Sequence, residues 1–318
     1  MKITEIYEAQ GNTVFSIEFM PPRNGSDINK IYNDIKMLNY DVSFITITMG
    51  SNKSLRGGTA ALASMIKKKF GKEPVVHLTC VNRSKYEMEN ILTAFKYLEI
   101  TNIMALRGDA PEGEGGFQKH PEGHQYANEL VEQINAMNQG KYFLRNTDKE
   151  MGLVAEDAKY REAEKTNFCI CVAGYPEKHI EADNFDEDIK NLKRKVDAGA
   201  DIIFTQMFFN AEDYKTFVEK CRNAGINNLI IPGIFPIFTK WQIDYIPKTF
   251  HVTVPEEHTQ NLKKVQDDKE ELKNVSVDFT TNLCRELIKA GAPGLHFYSM
   301  NNAKIVKRII NNLRKKGI

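Results

Sequence analysis

The sequence predicts an α/β fold of the TIM, or (β/α)8, barrel type, with parallel strands inside and helices outside. Two observations point there. Eight short runs rich in apolar and β-branched residues, at about 13–20, 42–49, 74–80, 101–107, 168–174, 201–207, 228–234 and 294–299, alternate with longer polar-faced stretches. Most runs are continuously apolar rather than alternating, as strands covered on both faces should be. The second observation is where the polar groups fall: Glu18, Thr48, His77, Arg107-Gly108-Asp109, Tyr175, Gln206 and Tyr298 each stand at or just after the end of such a run. In a parallel barrel all strand C-termini open onto one face, so these side chains would meet in one pocket.

Helices are expected at about 26–39, 58–69, 84–98, 122–138, 185–198, 210–223, 256–289 and 302–315. Ser26 and Ser84 can cap two of them, and Glu87, three residues after Ser84, completes a capping box. Gly199 and Gly225 sit where two helices must stop before the next strand. Three connections are long. Pro111 to about His124 follows the Arg107-Gly108-Asp109 strand end, and its Gly113-Glu114-Gly115-Gly116 makes it a lid candidate. Gly140 to Thr166 precedes the fifth run, on the opposite face, and reads as an ornament. Lys248 to Lys273 carries Asp267-Asp268-Lys269-Glu270-Glu271, read as the wet face of a helix.

With 42% hydrophobic and 27% charged residues, the 318 residues suit one barrel domain spanning 1–318. A formal net charge of +1 gives no general pull toward nucleic acid or anionic membrane, so an anionic ligand would have to be held by local groups. No apolar run approaches the roughly 20 residues of a membrane helix and no signal-peptide core follows Met1, so a cytoplasmic protein is expected. Five scattered cysteines agree with a reducing compartment. Cys169 and Cys171 share a strand face without a second metal-ligand pair nearby, and they read as buried thiols rather than a metal site.

Glu18 leads into Phe19-Met20-Pro21-Pro22, a stiff extended exit among apolar neighbours that would keep its carboxyl protonated. It is a candidate general acid, or else a salt-bridged rim carboxylate. Asp109, beside Arg107 and Gly108, is biased toward the ionised form, suited to stabilising a developing cation or to pinning a loop through Arg107. His77 reads as a structural histidine or a site residue. Tyr175, His179, Arg194 and Lys195 fall on one connection and could stack on a planar ring and neutralise a diphosphate, although Asn191 to Lys195 also reads as a solvated helix face. Neither a Gly-x-Gly-x-x-Gly fingerprint nor a Walker loop is present. The basic cluster Lys304, Lys307, Arg308, Arg314, Lys315 and Lys316 reads as the solvated face of the last helix. An enzyme is the leading reading.

Taken in order, Phe15-Ser16-Ile17-Glu18-Phe19-Met20-Pro21-Pro22, His77-Leu78-Thr79-Cys80, Leu106-Arg107-Gly108-Asp109, Val172-Ala173-Gly174-Tyr175-Pro176-Glu177, Leu192 to Gly199, Thr205-Gln206, Pro232-Gly233-Ile234 and His296-Phe297-Tyr298 form a specific signature. It resembles that of the methylenetetrahydrofolate reductase family, nearly end to end. The resemblance implies a flavoprotein barrel that reduces 5,10-methylenetetrahydrofolate to 5-methyltetrahydrofolate with NADH or NADPH, ping-pong through bound FAD, in one-carbon metabolism and methionine biosynthesis. By resemblance Glu18 is the acid that helps open the folate's five-membered ring, and Asp109 stabilises the resulting cation. Implied FAD contacts are Met49, Ser51, His77, Arg107, Gly108, Asp109, Ala127, Tyr175, His179, Ala182, Asp188, Asn191, Arg194 and Lys195. Thr48 and Gln206 resemble nicotinamide or folate contacts, and Gln242 a folate contact.

Two positions depart from the family pattern: Asn302 stands where arginine is common, and Met49 where an aromatic residue is common. No regulatory domain is expected. Expected partners are a reduced folate and a nicotinamide, without nucleic acid, membrane or metal, and with self-association left open. The competing readings are another flavin barrel of the proline-dehydrogenase kind, a cofactor-free barrel lyase, and a barrel serving only as a binding scaffold.

Overall fold

The computed structural model describes residues 1–9, 11, 13–50, 56–109, 116–150 and 159–318. In chain order the first half runs α1 (Ile3–Ala9), β1 (Val14–Phe19), α2 (Asn29–Leu38), β2 (Phe44–Ile47), α3 (Thr59–Phe70), β3 (Glu73–Thr79), α4 (Lys85–Tyr97), β4 (Asn102–Leu106) and α5 (Ala127–Asn138). A small insertion follows, with β5 (Lys141–Phe143), α6 (Asn146–Glu150) and β6 (Tyr160–Glu162). The second half runs β7 (Cys169–Gly174), α7 (Phe185–Asp197), β8 (Ile202–Met207), α8 (Ala211–Asn223), β9 (Leu229–Ile234), α9 (Lys240–Phe250), α10 (Glu256–Lys264), α11 (Lys269–Lys289), β10 (Gly294–Tyr298) and α12 (Ala303–Arg314).

All eight runs expected to be strands form one closed barrel, in the order β1-β2-β3-β4-β7-β8-β9-β10 with β10 paired back to β1. Every pairing is parallel, so each strand delivers its C-terminal residue to the same rim. Between β8 and β9 the register slips: Phe204 faces Ile231 but Met207 faces Gly233, which leaves an extra residue around Thr205-Gln206. A bulge of this kind re-aims a side chain at a rim.

The alternation of outward and inward residues builds two cores. Outward aliphatics such as Ile17, Ile45, Val76, Ile103, Ile170 and Ile203 pack under the helices. Inward residues Phe44, Val75, Met104, Cys171, Phe204 and Ile231 fill the barrel, and Ile3 and Ile6 of α1 close it from the N-terminal side. The plug is fastened by a hydrogen bond from the Ile3 amide to Asn102 Oδ1, 2.8 Å. Nothing in the mixed polar N-terminus had suggested this helix. Cys169 and Cys171, like the other three cysteines, are buried free thiols.

Several local expectations change. The Ser84 capping box is present, but α2 starts at Asn29, and Ser26 instead closes a turn through its amide to the Arg23 carbonyl, 2.8 Å. The Gly140 to Thr166 connection contains an antiparallel hairpin, β5 on β6, and residues 151–158 lie outside the described ones. Lys248 belongs to α9, which stays helical through Pro247. The stretch 256–289 is two helices, because Asp268 turns its carboxylate onto the amides of Glu270 and Glu271 and starts α11 afresh. Asp267 pairs with Lys240 at 2.8 Å. The basic face of α12 is only partly solvated: Lys307 and Arg314 both pair with the buried Asp41, and Arg308 donates to Asn274 at 2.5 Å. Among the described residues no helix is long and apolar enough to cross a membrane.

Candidate active site

The rim is built from strand ends. Glu18 is the penultimate residue of β1, opposite Tyr298 of β10 and Thr46 of β2. His77 lies inside β3 rather than at its end, and its Nε2 stands 3.4 Å from Glu18 Oε2, with both side chains less than a fifth exposed. The contact is within ion-pairing distance, but burial opposes charge on both partners: it pushes the Glu18 carboxyl up to about 8 and the His77 imidazole down to about 4. At neutral pH the pair is therefore an uncharged acid beside an uncharged imidazole. Below it, His296 is held between Ser16 Oγ at 2.9 Å and Thr46 Oγ1 at 3.4 Å, a polar layer whose mutual contact sequence spacing does not show.

Tyr298 links this acid to the opposite wall. Its hydroxyl donates to the Thr205 carbonyl at 2.7 Å, and burial above all, with Glu18 and Tyr175 close by, keeps it protonated. It fits because β9 carries Gly233 opposite: a Cβ there would fall 2.3 Å from the Thr205 carbonyl oxygen and 2.5 Å from the Tyr298 ring. A glycine inside a strand is the sequence signal that could have announced this close approach. Tyr175, just after β7, stacks its edge on His179 with ring centroids 4.7 Å apart and lies in the fields of Asp188, Asp109 and Arg107. Glu18 and Asp109 thus stand at strand ends on the same mouth, with Tyr298 and Tyr175 in electrostatic reach of one another between them.

The cations gather beside Tyr175. Lys195 of α7 is half-buried, and loss of solvent around its ammonium brings it down to about 8 against the attraction of Asp188; its Nζ donates to the Ala173 carbonyl at 2.7 Å. Arg107 is gripped by Glu181 through two bonds of 2.5 and 2.6 Å and lies over the Phe117 ring. Glu181 has no sequence signal, since its partner lies in another loop. Gly108 takes φ +87°, and a Cβ there would meet Val81 Cγ1 at 2.9 Å. Asp188 accepts from the His179 amide at 3.0 Å, and Ala182 is nearly buried in the same turn.

The remaining expected residues divide. Thr48 and Met49 are half-buried just beyond β2, Ala127 opens α5, and Asp109 is exposed at the rim. Asn191 and Arg194 bond to each other at 2.6 Å on the outer side of α7. Gln206 sits at the β8 bulge with Oε1 on the Met207 amide, 2.9 Å. Gln242 is buried, its Oε1 accepting from the amides of Phe238 and Thr239 at 2.9 and 3.0 Å, so that oxygen serves as the cap of α9. Ser51 and the first part of the lid candidate, 111–115, lie outside the described residues.

The ring and cation groups at Tyr175, His179, Arg107 and Lys195 and the close turn at Gly108 fit a phosphorylated, planar cofactor. A closed parallel barrel whose strand ends gather a desolvated acid, two tyrosines and half-buried cations defines the class: a (β/α)8-barrel enzyme. The family model for methylenetetrahydrofolate reductase matches residues 2–314, and the chain belongs to that family. The 5,10-methylenetetrahydrofolate reductase of Escherichia coli is 33% identical over 307 residues, covering 96% of this chain and 92% of its own length. Methylenetetrahydrofolate reductase (NADH) 1 of Arabidopsis thaliana is 32% identical over 98% of this chain and 50% of its own length, and methylenetetrahydrofolate reductase 1 of Schizosaccharomyces pombe 34% identical over 94% and 45%. The chain thus spans about half the length of these plant and yeast relatives. In fold it is similar to a Clostridium thermocellum protein described as binding two copies of 5-methyl-5,6,7,8-tetrahydrofolic acid, with TM-score 0.58, 13% identity and coverage of 99% and 98%. It is also similar to oxaloacetate acetylhydrolase, with TM-score 0.50, 9% identity and coverage of 100% and 87%.

Proposed function

We propose that this chain reduces 5,10-methylenetetrahydrofolate to 5-methyltetrahydrofolate, taking hydride from a reduced nicotinamide through bound FAD. The observation that carries the reading is the buried Glu18 carboxyl at the barrel mouth, kept protonated to about pH 8 by desolvation, in a chain of this family. The plant relatives are named for NADH, which supports NADH as the reductant.

FAD, when bound, supplies the hydride chemistry. Arg107 and Lys195 would neutralise its diphosphate, with Tyr175 and His179 against a ring and Asp188 holding the turn that carries His179. Glu18 delivers its proton to the ring nitrogen of the folate as the five-membered ring opens; its O–H bond breaks and an N–H bond forms. Asp109, on the same rim and exposed, supplies negative charge toward the cation so produced. Gln206, re-aimed by the bulge in β8, faces the mouth as an orienting amide.

The test is direct. Purified protein should be yellow, release FAD on denaturation, and oxidise NADH only when menadione or the folate is present as acceptor. Colourless protein that neither binds added FAD nor oxidises NADH would overturn the reading.

A further inference from the structure

The structure assigns His77 a second part beyond any cofactor contact: we propose that it is the positioning residue of Glu18, its Nε2 accepting the hydrogen bond of the Glu18 carboxyl so that the acid is held neutral and aimed. This deepens the proposed function, and it rests on that reading only for what Glu18 does with its proton. The pairing is a property of the chain itself.

Geometry carries it. His77 Nε2 is buried and has no hydrogen-bond partner among the described residues, while Glu18 Oε2 lies 3.4 Å away. A buried ring nitrogen left unpaired is unfavourable, and a small turn of the carboxyl closes this gap. Among the described residues no other donor reaches the Glu18 carboxyl; Ser299 Oγ bonds to the backbone carbonyl of Glu18 instead, at 2.6 Å. Glu18 is thus the partner that the orphaned Nε2 lacks.

Three arrangements could join them. In an ion pair both partners are charged; in a second, an ionised carboxylate accepts from a neutral Nε2–H; in the third, the carboxyl O–H donates to a bare Nε2. The first two need a carboxylate in a desolvated place. The groups that face the pair supply little to hold it: Tyr298 and His296 from β10, Thr46 and Thr48 from the β2 end, and Tyr175 from the β7 end. The tyrosines and His296 are kept neutral by burial, and the nearest cations, Arg107 and Lys195, are engaged by Glu181 and the Ala173 carbonyl. Burial raises Glu18 and lowers His77, which favours the third arrangement over both others.

That arrangement has a consequence for turnover. Once Glu18 has given up its proton, the carboxylate faces the lone pair of Nε2, an unfavourable contact that drives it to take a proton back. It also fixes the imidazole as the Nδ1–H tautomer.

Nitrogen-15 NMR of the imidazole-labelled, full-length chain tests this without cofactor or substrate. At neutral pH His77 should be uncharged with its proton on Nδ1. Glu18→Gln, whose amide can still donate, should keep that tautomer, and Glu18→Leu should lose it. An imidazolium at neutral pH, or an Nε2–H tautomer in the wild-type chain, overturns the proposal. His77→Asn identifies the resonance; should it not fold, the response to the two Glu18 variants identifies it instead. In the folded His77→Asn holoenzyme, whose amide donates to the carboxylate, the upper pH limit of folate reduction should fall by about one unit. An unchanged limit counts against the pairing. Protein that showed the Nδ1–H tautomer but no flavin and no reductase activity would sink the proposed function and leave the pairing standing.

Discussion

Arg107, just past β4, and Glu181, in the loop after β7, are 74 residues apart and meet in a two-pronged ion pair that ties the two strand ends together. The bond to Arg107 is what chiefly lowers the Glu181 carboxyl, yet Glu181 is 55% exposed, so water screens much of the attraction. A double-mutant cycle on Arg107→Lys and Glu181→Gln, followed by urea unfolding, should give a coupling of about 1 kcal/mol. Coupling indistinguishable from zero would show that the paired geometry is not held in solution.

Glu18 should cost the fold stability at high pH. Its carboxyl titrates at about 8 in the folded chain against 4.5 ordinarily, so between those values the folded state binds the extra proton and stability falls as pH rises. Glu18→Gln removes the liability: its melting temperature should match wild type near pH 5 and exceed it by several degrees near pH 8. The opposite trend would mean that Glu18 is ionised and paired.

Gly233 is the clearance that lets Tyr298 reach Thr205. Gly233→Ala places a methyl 2.3 Å from a carbonyl oxygen and should destabilise by about 2–3 kcal/mol, more than Tyr298→Phe, which loses one hydrogen bond and about 1 kcal/mol. Chemical denaturation of both variants ranks them. Equal stability of Gly233→Ala and wild type would contradict the packing.

The barrel was legible because buried parallel strands leave continuous apolar runs, and because Ser84, Gly199 and Gly225 mark element ends by local chemistry. What was not legible depends on distant partners. The plug α1 offers only Ile3 and Ile6 as buried residues in a seven-residue helix, too short for a periodic signal, and β5 and β6 are three residues each. Asp268 looked like part of a solvated acidic run until its carboxylate was seen on the α11 amides. At the rim, the positions of Glu18, Asp109 and Tyr175 follow from where the strands end. The facing of His77 and Glu18, and the grip of Glu181 on Arg107, join residues that sequence spacing does not relate.

The plug makes a prediction of its own. Asn102 accepts from the Ile3 amide and donates to the Met1 carbonyl at 3.2 Å from inside the barrel floor. Asn102→Ala leaves a buried amide unpaired and should cost about 1–3 kcal/mol, with amide exchange in residues 3–9 rising before that of the barrel strands. Uniform loss of protection would instead mean that plug and barrel open as one unit.

In the proposed function Glu18 acts on the folate and not on the nicotinamide. Anaerobic stopped-flow of Glu18→Gln holoenzyme separates the two: flavin bleaching by NADH should proceed at close to the wild-type rate, while reoxidation by 5,10-methylenetetrahydrofolate should fall at least a hundredfold, as expected for removal of a general acid, roughly 10²–10⁴-fold. Equal slowing of both half-reactions, or an undiminished folate step, would contradict the account.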